Sequence, residues 1–114
     1  MAVDVADGAA ATDLLISGNI TQSGTVGITK SGDGTLVLSG SNTYTGATTV
    51  SAGKLVVSGS TATSSITVQT GATFEFSSTS PYAGSIHVNA GNLTLNHAVI
   101  DDASPVVIAS GSTV

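Results

Sequence analysis

Cysteine, arginine and tryptophan are all absent, and Lys30 and Lys54 are the only lysines. Each absence excludes something. Without thiols there is no disulfide framework, no thiolate metal site and no cysteine nucleophile. Two lysines against seven acids leave a net charge of −5, so no clustered positive surface exists to neutralise a phosphate backbone, and no nucleic-acid partner is expected. The same deficit excludes a polybasic membrane patch. With 4% aromatic and 8% charged residues, neither a core built on large rings nor a helical surface laced with Glu/Lys pairs can form. The opening residues, Met1-Ala2-Val3-Asp4-Val5-Ala6-Asp7, have neither the basic nor the apolar region of a signal peptide, which places any export signal outside this chain. The uncharged span Leu55 to Phe74 is long enough to cross a bilayer but is filled with Ser, Thr and Gly, so it is not a transmembrane helix.

What remains is unusual. Ser and Thr occupy 34 positions and Gly another 14, a composition that would suggest disorder. Yet 40% of residues are hydrophobic, chiefly Val, Ile, Leu and Ala in short alternating runs, which predicts order. β-Branched residues are plentiful and strong helix formers scarce, so the order is expected as strands. A cysteine-free chain of this kind also suits export across an envelope in an unfolded state.

A period is visible. Gly34, Gly53, Gly71, Gly91 and Gly111 follow one another at 19, 18, 20 and 20 residues. Before four of them stands an alternating pair, Thr48/Val50, Ile66/Val68, Ile86/Val88 and Val106/Ile108. After them comes a second series, Leu36/Leu38, Leu55/Val57, Phe74/Phe76 and Leu93/Leu95. Period-two alternation puts each pair on one face of a strand, and the glycine supplies the bend between two strands. Each period therefore reads as one coil, with a more variable third side through Tyr44, Ala62, Tyr82 and Val99 or Ile100. The pattern Tyr44-x-Gly46-x-x-x-Val50-x-x-Gly53 returns 38 residues on, as Tyr82-x-Gly84-x-x-x-Val88-x-x-Gly91. A lone coil buries too few side chains to offset the entropy of its own backbone, whereas stacked coils share strand edges and layer like on like. The fold expected is all-β, a right-handed parallel β-helix of five to six coils with 18–20 residues each. Residues 13–114 form the coils of a single solenoid segment, with Leu14 to Ile20 in an early coil and residues 1–12 as an irregular lead-in. Because the last residues stop in mid-coil, the chain is expected to be a fragment of a longer solenoid or a subunit that self-associates end to end.

The stretch Thr35-Leu36-Val37-Leu38-Ser39-Gly40-Ser41-Asn42-Thr43-Tyr44-Thr45-Gly46-Ala47-Thr48-Thr49-Val50-Ser51-Ala52-Gly53-Lys54-Leu55 closely resembles the passenger-associated transport repeat of bacterial autotransporters. A looser likeness covers Leu14 to Gly18 and Ile28 to Gly59, and beyond Gly59 only the coil spacing persists. The resemblance implies a passenger exported across the bacterial outer membrane to the cell surface, folding there as a parallel β-helix. It also implies a translocator β-barrel elsewhere in the full-length protein. The role implied for Thr35 to Leu55 is to assist passenger export and folding.

No catalytic, cofactor-binding or metal-ligating set is expected. Asp101-Asp102 reads as a solvated turn before Pro105, and Glu75, between Phe74 and Phe76, as an outward surface acid. Lys30 and Lys54 have no recognisable partner and are expected at solvated corners or edges. His87 alternates outward, whereas His97 sits near a corner, and two histidines are too few for a zinc site. Ser31-Gly32-Asp33-Gly34 reads as a turn, since a calcium-binding nonapeptide repeat would need Asp at each matching corner. Thr43-x-Thr45 and Thr61-x-Thr63 are 18 residues apart and form at most a short hydroxyl ladder, too few rungs for ice binding. Asn19-Ile20-Thr21 and Asn92-Leu93-Thr94 match the glycosylation sequon incidentally. The functional expectation is a non-catalytic, adhesin-like scaffold presenting loops to host or cell-surface molecules. The alternatives are a self-stacking filament subunit and a fragment of a polysaccharide-active β-helix enzyme.

Overall fold

The computed structural model describes residues 2–6, 8, 13–21, 27–61, 65–77, 84–95 and 106–108. Among these residues the chain forms thirteen short strands and no helix. They are β1 (Ala2–Asp4), β2 (Leu14–Ile16), β3 (Ile28–Ser31), β4 (Thr35–Leu38), β5 (Ser41–Asn42), β6 (Thr48–Val50) and β7 (Lys54–Val57). There follow β8 (Ser60–Thr61), β9 (Ser65–Val68), β10 (Thr73–Phe76), β11 (Ser85–Val88), β12 (Asn92–Leu95) and β13 (Val106–Ile108).

The strands stack into a β-solenoid. One sheet runs β1-β3-β6-β9-β11-β13, a second β2-β4-β7-β10-β12, and β5 and β8 pair on a third side. Every pairing is parallel. The second sheet's five rungs correspond to four full turns from β2 to β12.

Alternation selects the inward face. In the first sheet Ile28, Thr48, Ile66 and Ile86 lie in one buried column, and Lys30, Val50, Val68 and Val88 in the next. In the second, Leu36, Leu55, Phe74 and Leu93 form one column, with Leu38, Val57 and Phe76 beside it. These columns make one continuous core in which each coil rests on its neighbours, so the apolar surface left open by one turn is covered by the next.

The corners between the two sheets alternate in length. Five residues (31–35) separate Lys30 from Leu36 and four (51–54) separate Val50 from Leu55. Five again (69–73) join Val68 to Phe74, and four (89–92) join Val88 to Leu93. This alternation resolves the uneven glycine spacing. Gly34, Gly53 and Gly91 share one column, marked by the bonds Lys54 N to Gly34 O (3.2 Å) and Thr73 N to Gly53 O (2.9 Å). In the longer corner Ala72 takes the column position, with Asn92 N donating to its oxygen at 2.9 Å, and Gly71 falls one residue out of line. Gly111 lies outside the described residues.

Within the amino-terminal lead-in expected to be irregular, Ala2–Asp4 forms β1 and pairs in parallel with β3, Val3 opposite Lys30. Strand β2 pairs with β4, Leu14 opposite Leu36. Leu14 and Leu15 remain 39% and 56% exposed, so this early coil contributes less to the core than the later ones.

Candidate functional site

The segment that carries the repeat motif, residues 40–48, closes the third side of the coil. Gly40, Asn42, Tyr44, Gly46 and Thr48 are buried while the residues between them face out, so the alternation continues through a stretch with little regular pairing. Asn42 Oδ1 accepts the Ile20 N–H at 3.0 Å, and Asn19 Oδ1 accepts the Ser41 N–H at 2.8 Å. With the Thr43 N–H donating to Ile20 O at 2.9 Å, the side-chain amides replace backbone carbonyls in joining this side to the earlier coil. Asn19 is thereby committed to a structural bond. The Tyr44 hydroxyl, in a side chain 1% exposed, lies 2.8 Å from Thr48 Oγ1. Thr48→Val removes that partner while preserving shape. Thermal or urea unfolding is expected to show a loss of about 1–3 kcal/mol, the cost of a buried hydroxyl left short of a hydrogen bond.

Lys30 is the departure from expectation. It is wholly buried rather than solvated, in register with Val3 on one side and Val50 on the other. Its ammonium donates to Ser31 O and Gly32 O, both at 2.8 Å, and to Ala52 O of the next coil at 3.3 Å. Burial lowers its pKa from the ordinary lysine value, opposed by the negative charges of Asp4, Asp33 and Asp13. The signal was in the sequence: Ile28-x-Lys30 continues the alternation of Thr48-x-Val50, and alternation alone turns Lys30 inward.

Lys54, expected without a partner, meets the outward-facing acid Glu75. Lys54 Nζ lies 3.4 Å from Glu75 Oε1 across adjacent coils. Both side chains keep contact with water, so the pair contributes about 0–1 kcal/mol. His87 is exposed as expected, in register with Thr67. Asp33 is exposed at its turn. Asp101, Asp102 and His97 lie outside the described residues. Among the described residues no group of three or more His, Asp or Glu is placed to hold a metal ion.

The hydroxyl ladder is elsewhere than expected. In β5 and β8 it is Asn42 that opposes Thr61, so Thr43 and Thr61 are out of register, and Thr63 is not described. On the outward face of the first sheet, by contrast, Thr29, Thr49, Thr67 and His87 stand in one column. The sequence hides this column because its spacings, 20 and 18, are unequal.

Comparison with known proteins agrees with this architecture. No solved structure matches the chain. Over 43 residues it is 63% identical to the adhesin BmaC autotransporter of Brucella suis biovar 1 (strain 1330), a match that covers 38% of this chain and 1% of that protein. The chain therefore spans only a small part of its relative's length. The family model for the passenger-associated-transport-repeat matches residues 28–57 and again residues 67–95. The second match extends the likeness past Gly59, beyond the stretch that carries the motif. Each match opens at or within a strand of the first sheet, crosses a five-residue corner and then a four-residue corner, and ends in a strand of the second sheet. With just over half of its length matched by two such units on one solenoid, the chain belongs to the passenger-associated-transport-repeat family.

Proposed function

We propose that this chain is a non-catalytic, adhesin-like segment of an autotransporter passenger, carried to the bacterial cell surface by a translocator β-barrel in the same full-length protein. The observation that carries the reading is the pair of passenger-associated repeats stacked in register on one solenoid. The identity to part of an adhesin autotransporter supports it. Among the described carboxylates two have structural partners: Asp13 accepts the Gly8 and Thr35 N–H groups at 2.8 and 2.9 Å, and Glu75 faces Lys54. The solenoid holds the passenger extended and offers its outward faces to host or cell-surface molecules. Formation of coils outside the cell draws the unfolded chain outward, because each added coil completes the edge of the one before it.

Excision of residues 28–95 from the full-length protein in its host tests both parts. Protease-accessible passenger on intact cells reports export, and adherence per displayed molecule reports binding. Both are expected to fall severalfold. Unchanged display together with unchanged adherence would refute the proposal, and polysaccharide cleavage by the purified chain would replace it with an enzymatic role.

A further inference from the structure

The columns that stabilise this fold do little to choose between neighbours. Leu36 packs on Leu55, but Phe74 one coil further on is equally apolar, and Val50 and Val68 are identical. Ile28 rests on Thr48, although Ile66, one coil beyond, would be the better apolar match. A stack that skipped a coil would keep an aliphatic or aromatic side chain at nearly every inward position. Lys30 breaks this degeneracy. It is the one charged side chain in the buried core of the described residues, and one of its three acceptors, Ala52 O, belongs to the next coil. That carbonyl arrives because the four-residue corner nests on the five-residue corner: a Cβ on Gly53 would overlap the Gly32 oxygen and lie 2.5 Å from the Gly34 oxygen. The next corner, 69–73, has one residue more, and Gly71 there projects into open space with no atom within 4 Å of a Cβ.

We propose that Lys30 is a register key: its ammonium completes its hydrogen bonds only when a four-residue corner lies on the five-residue corner that carries it. The β3–β4 coil therefore stacks on β6–β7 and not on β9–β10. A buried ammonium deprived of an acceptor is penalised heavily, whereas an apolar replacement at the same place is tolerated in either stack. This role of Lys30 is independent of what the chain binds.

The absence of native cysteine allows a direct test. Thr29 and Thr67 are two rungs apart, at about 9.6 Å, beyond the reach of a disulfide, and a skipped coil would bring them to about 4.8 Å, within it. The chain carrying Thr29→Cys and Thr67→Cys is unfolded in urea, refolded under mild oxidation and assayed for the cross-link. Adding Lys30→Met is expected to raise the cross-linked fraction about tenfold or more, the factor set by one lost charge-assisted hydrogen bond. Lys30→Val, which restores the residue type of its column, should do the same. Val88→Ala, which loosens that column away from the corner, should leave the fraction unchanged. An unchanged fraction in both Lys30 variants would overturn the proposal, as would an equal rise with Val88→Ala. Loss of cooperative folding in both Lys30 variants would also overturn it, because the ammonium would then be a stabiliser and not a selector.

Discussion

Gly53→Ala is expected to destabilise the chain by about 2–5 kcal/mol, a large part of the ~5–15 kcal/mol that holds a typical domain folded. Two effects act together. Gly53 has a φ of 65°, a left-handed conformation that costs a residue with a Cβ about 1–2 kcal/mol. The methyl group would also press on the carbonyl oxygens of Gly32 and Gly34 in the coil below, and forcing atoms into a packed position costs about 1–3 kcal/mol more. Gly71→Ala separates the two. Its φ is 79° but no atom lies within 4 Å of the new methyl, so only the backbone cost of about 1–2 kcal/mol applies. Urea unfolding of both variants, with the slope checked for constancy, measures the difference. Equal losses would show that the nesting of corners does not constrain the stack.

Phe74→Ala is expected to cost about 3–5 kcal/mol, at the upper end for core truncations. Phe74 is fully buried between Leu55 and Leu93, and its ring meets Phe76 edge to face at 6.1 Å and 87°. Collapse around the cavity is resisted because β10 is paired on both edges, to β7 and β12, and the rung spacing cannot shrink. About 0.5–1.5 kcal/mol of the loss belongs to the aromatic pair, and a double-mutant cycle with Phe76→Leu isolates it. Because coils contact only their neighbours, amide exchange should accelerate most in β7, β10 and β12 and least in β3. Uniform acceleration across all coils would contradict a nearest-neighbour stack.

The inward columns were legible in the sequence because alternation of period two and a repeated bend are local signals, and Leu36, Leu55, Phe74 and Leu93 fall at even steps of 19. Features that depend on register between coils were harder to read. Lys54 and Glu75 meet only because Lys54 lies opposite Thr73, a fact set by the length of the intervening corner. Gly71 misled by one position because a five-residue corner offers two places for a left-handed residue. A comparable shift occurs at Ala90, which holds a φ of 57° while Gly91 beside it is buried in the shared column. Strand β1 gave little signal because three residues are too few for periodicity to stand out. Lys30 departs from expectation for a different reason: its place in the alternation outweighs its residue type.

The hydrogen bonds between rungs all run along the stacking axis, and this orientation governs how the molecule yields under load. Tension drawing the two termini apart opens those bonds in sequence, as a zipper parts, instead of shearing a whole sheet at once. Each turn freed in this way releases about 19 residues, or roughly 65 Å of extended chain. A tether built so lengthens by discrete increments under a pull, and it can recoil turn by turn when the force is relieved.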